Sequence, residues 1–257
     1  MVELTRTVRI VINPVDLDTG SANGFGGVPA MAGFGRFYEL DVVCGGEPDA
    51  TTGYLVNIKT IDRAVRQHAV PLLESACRES PNRDPASILP DLIGALDAPI
   101  SGLVRRVRLR LSPYYSVEMG TDSLHTVLIR QKFDFAASHR LHVGSLSDEE
   151  NRRLFGRCNN PNGHGHNYVV EPCVAAPIGG AFGPSQLEQL TLVGVIDRFD
   201  HKNLSVDCAE FADLNPSVEH IARVCFELLS PPVKAGGADL VGVTVWETDR
   251  TSCMYPG

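Results

Sequence analysis

Two histidines in the second half of the chain stand one glycine apart, in the run Cys158-Asn-Asn-Pro-Asn-Gly-His164-Gly-His166. Side chains alternate along an extended strand, so these two imidazoles share a face only if the backbone there is extended. A third histidine, His139, follows another strand-like run, 127–137, and joins the pair if the two strands are neighbours. Three imidazole nitrogens with a fourth position left open are typical of a catalytic zinc site.

Cys158 lies a short loop before the histidine pair, which favours a reactive thiol over a fourth ligand. A thiol must lose its proton to act as a base, and nearby positive charge promotes that loss. The metal ion and Arg157 are the candidate sources of this charge. The alternative for Cys158 is a small buried side chain without a chemical role, as expected for the other cysteines of the chain. The alternative for the three histidines is that they are unrelated polar residues near strand ends.

The elements that must position these residues follow the same order in both halves of the chain. In the second half the pattern predicts strands at 127–137, 166–174, 240–247 and 250–255, and helices at 185–199 and 217–229. Ser185 and Ser217 are the expected N-caps of the two helices, and Pro231-Pro232 is expected to end the second. In the first half the pattern predicts strands at 8–12, 37–43, 104–111 and 115–119, and helices at 58–76 and 85–96.

Apolar and polar residues alternate along several of these strands, which predicts antiparallel sheets with one face in water. The fold class is therefore α+β, with two tandem ββααββ units that meet near residue 120, at 1–120 and 121–257. The loop from Asp16 to Ala32 takes the place that the cysteine loop has in the second unit.

The composition limits which binding partners and which cellular compartment are expected. A formal charge of −8 argues against a nucleic-acid partner, because binding to phosphate backbones requires a basic surface. No apolar run has the length of a membrane span, so no membrane partner is expected. The seven cysteines lack Cys-x-x-Cys spacing, and no signal peptide is recognisable, so a cytoplasmic protein with reduced thiols is expected.

Longer motifs surround the histidines, and they carry a resemblance to a known family. They are the runs Phe133-Asp-Phe-Ala-Ala-Ser-His139-Arg-Leu, Leu146-Ser-Asp-Glu-Glu-Asn, Leu154-Phe-Gly-Arg-Cys158-Asn-Asn-Pro-Asn-Gly-His164-Gly-His166-Asn-Tyr, Asp200-His201-Lys-Asn-Leu and Trp246-Glu247-Thr-Asp. From about Leu124 to Gly257 the chain resembles the family of 6-pyruvoyl- and 6-carboxytetrahydropterin synthases. The resemblance implies the T-fold, in which the sheets of several subunits join into an oligomeric β-barrel with the helices outside.

The resemblance also implies a reaction and a role for each motif residue. The reaction is the conversion of 7,8-dihydroneopterin triphosphate to 6-pyruvoyl-tetrahydropterin with loss of triphosphate, catalysed by a carbon–oxygen lyase. Zn²⁺ would be bound by the three histidines, Cys158 would be the base, and Asp200 with His201 would support it in moving protons. Glu247 would anchor the pterin. A homo-oligomer is implied, with active sites where subunits meet.

The first half resembles the same fold without the same site. Phe34-Gly-Arg36-Phe-Tyr38 aligns with His164-Gly-His166-Asn-Tyr168, so both metal histidines are replaced. The first unit is therefore expected to be a degenerate copy without zinc.

Two matters stay open in the sequence. No glycine-rich phosphate loop is present, and Lys202, Arg140 and Arg36 are the candidates for binding the triphosphate. The alternative functions are 6-carboxytetrahydropterin synthesis for deazapurine (queuosine) formation, and a non-catalytic pterin-binding scaffold.

Overall fold

The computed structural model describes residues 1–15 and 25–257, and these residues form two compact units. The first unit comprises Met1–Leu128 with Pro177–Gly179, and the second comprises Ile129–Ala176 with Gly180–Gly257. The boundary near residue 120 stays a prediction. Of the loop from Asp16 to Ala32, residues 16–24 lie outside the described residues.

The first unit contains an antiparallel sheet whose strands pair in chain order. Its strands are β1 (Val2–Ile12), β2 (Arg36–Gly46), β3 (Val104–Ser112) and β4 (Tyr115–Gly120). Each of them includes a strand predicted from the alternation of apolar residues. Val8, Ile10 and Ile12 of β1 are buried, so one face of the sheet contributes to the core.

Two helical segments join β2 to β3, as predicted. The first consists of α1 (Ile58–Ala64), a π-helical turn (Val65–Ala69) and α2 (Val70–Glu79). The second consists of a 3₁₀ turn (Pro85–Ile88) that leads into α3 (Leu89–Asp97).

The second unit also has a mainly antiparallel, open sheet. Strand β5 (Thr126–Gln131) begins in the first unit and ends in the second. The other strands of the second unit are β6 (Phe133–His139), β7 (His164–Pro177), β8 (Lys202–Asn203), β9 (Asp239–Thr248) and β10 (Thr251–Pro256). Strand β7 is central, since it pairs antiparallel with β6 and with β9, and β9 in turn pairs with β10. The short β8 is parallel to β6. The strand predicted at 127–137 is divided in two at Lys132.

The helices of the second unit connect these strands. They are α4 (Asp148–Phe155), α5 (Pro184–Thr191), a π-helical turn (Leu192–Ile196), α6 (Asp197–Phe199), α7 (Leu204–Asp207) and α8 (Val218–Ala235). The predicted helix 185–199 corresponds to α5, the π-helical turn and α6. Among the described helices, none is long and apolar enough to span a bilayer.

The predicted N-cap of the helix at 185–199 is wrong. Gly183 occupies the cap position, and Pro184 stands in the first turn, where its missing N–H costs no helical hydrogen bond. The Gly183 N–H donates to the Gln186 side chain at 3.1 Å, which replaces the contact expected of Ser185. The N-cap Ser217 is confirmed, because its hydroxyl accepts a hydrogen bond from the His220 N–H.

The predicted end of the last helix is also wrong, because Pro231 and Pro232 lie inside α8, which continues to Ala235. Each proline removes one helical donor. The final turn nevertheless buries Val233 completely, and the Gly236 N–H closes the helix on the Pro232 carbonyl at 3.0 Å. Apolar burial and this closing bond offset the missing donors.

An aromatic cluster fixes the position of β6 and β7 in the second unit. Tyr168 is completely buried and stacks on Phe135 of β6, with ring centroids 5.1 Å apart. Phe135 also meets Phe199 of α6 at 6.2 Å. The ends of β6 and β7 that carry the histidines are thereby anchored in the core.

Candidate active site

The paired strands β6 and β7 bring three histidines together at one end of the second unit. His139 lies directly opposite His164 in the register, and His166 lies opposite Ala137. One ring nitrogen from each of the three histidines lies within 4.8 Å of the others. The extended backbone and the strand pairing that the sequence required are both present, so the three imidazoles form a candidate metal centre.

A glycine permits the close approach of the two strand ends. Gly163 has a φ of +71°, and a Cβ there would lie 2.9 Å from the His139 carbonyl oxygen. Any other residue would have to push β7 away from β6 at the point where His164 meets His139.

Hydrogen bonding fixes the tautomer of His139, which is only 1% exposed. Its Nδ1 lies 2.6 Å from the Pro216 carbonyl oxygen. A carbonyl can only accept, so Nδ1 carries the proton and Nε2 presents a lone pair. A backbone carbonyl that holds the second nitrogen in this way is a common partner of metal-binding histidines.

The donor set fits a cation. His139 Nε2 faces His164 Nε2 at 3.1 Å, and His166 Nε2 is buried without a hydrogen-bond partner among the described residues. Burial lowers the pKa of His139 and of His166, so both rings are neutral near pH 7 and keep their lone pairs. Neutral imidazoles suit zinc and other borderline metal ions.

Glu247, near the end of β9, lies beside the same cluster. Its Oε1 is 3.5 Å from His139 Nε2 and 3.6 Å from His166 Nε2. The carboxylate is about one-fifth exposed, so an incoming molecule can reach it. Its predicted role as a pterin anchor stays a prediction.

Cys158 lies in a 3₁₀ turn (Gly156–Asn159) that follows α4. Its carbonyl accepts a hydrogen bond from the Leu141 N–H at 2.8 Å, and the Asn159 side chain donates to the Leu141 carbonyl at 2.7 Å. These bonds tie the cysteine turn to the chain that leaves β6. The thiol is half-buried and lines a cleft of ≈ 660 Å³ together with His164.

Asp200 and His201 form a hydrogen-bonded pair after α6. Asp200 Oδ1 accepts from the Ala136 N–H at 2.8 Å, and its Oδ2 lies 2.8 Å from His201 Nδ1. The hydrogen bond from Ala136, followed by that from His201, lowers the pKa of the Asp200 carboxyl. His201 has a φ of +57°, which is uncommon for a residue other than glycine, and its side chain is 83% exposed.

The predicted catalytic residues are not all brought together within the chain. Asp200 and His201 lie by a groove lined by the ends of β6 and β7 and by His166, whereas Cys158 lines the cleft described above. Among the described residues, no hydrogen bond joins the thiol to this pair. Their joint role stays a prediction.

The predicted phosphate-binding candidates are separated. Arg140 lines the cleft of Cys158, and Lys202 lines the groove of His201. Arg36 belongs to the first unit, where hydrogen bonds to Tyr38 and then Cys77 raise its pKa.

Sequence reasoning missed two groups that support the histidines. The Tyr168 hydroxyl lies 3.4 Å from His139 Nδ1, and Pro216 supplies the carbonyl that orients His139. Tyr168 could have been found, because it continues the alternation of His164 and His166 along the same face. The Pro216 carbonyl has no signal in the sequence, since any residue provides one.

Comparison with known proteins places this arrangement in a family. The family model described as 6-pyruvoyl tetrahydropterin synthase matches residues 128–257. The 6-pyruvoyl tetrahydrobiopterin synthase of Homo sapiens is 40% identical over 133 residues, which are 50% of this chain and 90% of the human one. That of Drosophila melanogaster is 37% identical over 127 residues, with 48% and 75% covered. The solved structure of Caenorhabditis elegans 6-pyruvoyl tetrahydropterin synthase matches with 35% identity and a TM-score of 0.47, over 51% of this chain and 96% of that one.

The matched region contains every residue of the candidate site described above. It spans half of this chain and most of each of these relatives. The chain therefore belongs, through residues 128–257, to the 6-pyruvoyl tetrahydropterin synthase family.

Proposed function

We propose that this chain is a zinc-dependent 6-pyruvoyl-tetrahydropterin synthase, which converts 7,8-dihydroneopterin triphosphate to 6-pyruvoyl-tetrahydropterin and releases triphosphate. The observation that carries the proposal is the set of three imidazole nitrogens within 4.8 Å of one another, next to the cleft of Cys158. Relatives with up to 40% identity that bear this name support it.

The substrate would be bound at two places, at its side-chain hydroxyls by the metal ion and at its pterin ring by Glu247. Zinc held by His139, His164 and His166 would act as a Lewis acid on the side-chain hydroxyls of the substrate. Glu247 would accept two parallel hydrogen bonds from the ring N–H and the amino group of the pterin. Its carboxylate oxygen is 3.5 Å from His139 Nε2, so the pterin would lie next to the hydroxyls.

Protons would be moved by the remaining residues. Cys158 would take a proton from the side-chain carbon next to the hydroxyl, and triphosphate would leave with the electrons of its carbon–oxygen bond. The reaction needs no external oxidant. Oxidation of the two side-chain hydroxyls to carbonyls is balanced by reduction of the pterin ring and by the loss of triphosphate, which leaves the terminal side-chain carbon as a methyl group. Asp200, by holding the Nδ1 proton of His201, would leave the opposite nitrogen of that ring free to exchange protons.

A homo-oligomer in the cytoplasm is part of the proposal. Strand β10 pairs with β9 alone among the described strands, so its outer edge is free to continue the sheet. We assign residues 121–257 to a catalytic T-fold unit and residues 1–120 to a unit without zinc that helps to complete a barrel.

Product analysis tests this function directly. Zinc-loaded protein is mixed with 7,8-dihydroneopterin triphosphate, triphosphate release is followed, and the pterin is identified by mass. Formation of 6-pyruvoyl-tetrahydropterin is the expected result. A 6-carboxy product would instead assign the chain to 6-carboxytetrahydropterin synthesis, and binding without triphosphate release would assign it to a non-catalytic scaffold.

Two variants test the assigned roles. Cys158→Ala should keep its metal and lose turnover by about a hundredfold or more, the usual contribution of a general base, whereas Cys253→Ala should remain active. His164→Ala should lose metal and activity together, with the exposed His68→Ala as its control. Full zinc content of His164→Ala by elemental analysis would contradict the ligand set, and unchanged turnover of Cys158→Ala would remove the thiol from the mechanism.

A further inference from the structure

Three arginines surround the cleft that contains Cys158. Arg140, Arg152 and Arg157 line it together with Cys158 and His164, and the cleft measures ≈ 660 Å³. We call this feature the arginine cleft. Its positive side chains therefore lie in the same cleft as His164, a proposed metal ligand, and Cys158, the proposed base.

Each arginine comes from a different local element. Arg140 follows β6, Arg152 lies in the last turn of α4, and Arg157 lies in the turn that carries the thiol. The Arg140 Nε donates to the Asn159 carbonyl at 3.2 Å, which orients the guanidinium and leaves its terminal amino groups available. Arg152 and Arg157 are exposed.

These arginines differ from the many arginines of the described residues that have a carboxylate partner. Eight arginines elsewhere are paired with carboxylates, namely Arg6, Arg9, Arg83, Arg106, Arg108, Arg110, Arg198 and Arg223. Within the described residues, none of the three cleft arginines forms an ion pair. Asp148 also lines the cleft and offsets one of the three positive charges.

A cleft with surplus positive charge in a chain of net charge −8 selects an anion of several charges. Guanidinium groups bind phosphate oxygens through paired, charge-assisted hydrogen bonds, so three of them match a chain of linked phosphates better than a single carboxylate. Unpaired arginines on an open surface are usually only solvated. Here, however, all three line one concave site, and the thiol and a candidate metal ligand line it as well.

We propose that the arginine cleft is the polyphosphate subsite, in which Arg140, Arg152 and Arg157 hold the triphosphate of the substrate. This inference rests on the proposed function, and it deepens it by naming the residues that hold the leaving group. Charge that develops on the departing triphosphate would be stabilised by the same guanidinium groups that bind it in the ground state. Of the three candidates from the sequence, only Arg140 lines this cleft, whereas Lys202 lines the groove of His201 and Arg36 belongs to the first unit.

The test uses inorganic tripolyphosphate as the probe, with binding measured by calorimetry on the full-length, zinc-loaded protein. Arg152→Ala and Arg157→Ala should each weaken binding about tenfold, the usual loss when one charge-assisted contact is removed. Arg153→Ala is the matched control. Arg153 is the neighbour of Arg152 on α4 and does not line the cleft, so this variant should bind tripolyphosphate as the unchanged protein does. Arg157→Lys should give an intermediate loss, because lysine keeps the charge without the paired geometry.

The outcomes separate this inference from the proposed function. Loss of tripolyphosphate binding in Arg152→Ala and Arg157→Ala supports the subsite even if the protein forms no pyruvoyl product. If the unchanged protein forms that product while both variants keep its KM and its tripolyphosphate affinity, the function stands and the subsite is overturned. Failure of the unchanged protein to bind tripolyphosphate, or an equal loss in Arg153→Ala, would also overturn it.

Discussion

The buried amide of Asn151 is predicted to hold the loop that precedes the arginine cleft. Asn151 is completely buried on α4. Its Nδ2 donates to the carbonyls of Val143, Leu146 and Ser147 at 2.9, 3.1 and 3.1 Å, and its Oδ1 accepts from the Val143 N–H at 2.8 Å. One side chain thus closes the loop onto the helix that leads to Cys158.

The expected cost of Asn151→Ala follows from these contacts. A hydrogen bond contributes about 1 kcal/mol net, and a buried polar group left without a partner costs about 1–3 kcal/mol. The Ser147 carbonyl keeps a second bond from the Asn151 backbone N–H at 2.9 Å, so its loss is small. The Val143 carbonyl likewise keeps a bond from the Leu146 N–H at 3.1 Å. The Val143 N–H and the Leu146 carbonyl lose the side chain that pairs with them. We therefore expect the free energy of unfolding to fall by about 3 kcal/mol, a large fraction of the stability of an ordinary domain.

Urea unfolding of the metal-free protein measures this loss. The sequence contains one tryptophan, Trp246, and it lies in β9 of the second unit, so its fluorescence reports the unfolding of that unit. The midpoint should fall by about 1–3 M urea for a slope of about 1–3 kcal/mol/M. Asn162→Ala, in an exposed turn, is the control and should leave the midpoint nearly unchanged. Equal midpoints for the two variants would refute the argument that the Asn151 amide holds the loop.

Two further predictions concern the acid dependence of stability and the last helix. Because the hydrogen bond from Ala136 lowers the pKa of the Asp200 carboxyl, this group contributes stability that is fully present above its ordinary pKa of about 4 and is lost as the pH falls through the lowered value. Asp200→Asn should therefore flatten the decline of the urea midpoint as the pH falls below about 4, and a decline as steep as that of the unchanged protein would contradict this. Pro231→Ala restores a helical donor at an exposed position of α8 and should raise the free energy of unfolding by about 1–2 kcal/mol. A lower thermal midpoint for this variant would show that the proline is favourable where it stands.

Much of the fold could be predicted because its signals are local. Strands with one buried face alternate in polarity, and each predicted strand of both units overlaps an observed strand. The His164–Gly–His166 spacing also predicts its own geometry, since only an extended backbone puts both rings on one face. These features need no knowledge of distant contacts.

Helix α4 was missed for a physical reason. Its sequence has no apolar stripe, and its one fully buried residue is the amide of Asn151. A search for apolar periodicity therefore passes over it. The capping box of Ser147 and Glu150 was the available signal, and both of its hydrogen bonds are present.

The arginine cleft could not be predicted from the sequence, because it depends on how three local elements meet. Arg140 and Arg157 are separated by a loop and a helix, and nothing in their spacing shows that they face the same space. The turn of α4 that presents Arg152 was itself missed. Long-range convergence of this kind follows from packing, as does the orientation of His139 by the Pro216 carbonyl.

The ring of His201 is held in one orientation although it is exposed to solvent. The Ala136 backbone holds Asp200, and Asp200 holds the ring of His201, so the imidazole is fixed although it is 83% exposed. Fixing an exposed side chain costs conformational entropy with little gain in burial. A left-handed backbone at His201 adds to that cost, and such costs are most often found at functional sites. An imidazole that is oriented but uncovered contributes little to the stability of its own chain. It fits the proposed homo-oligomer, in which a second subunit would cover this side chain and complete the site.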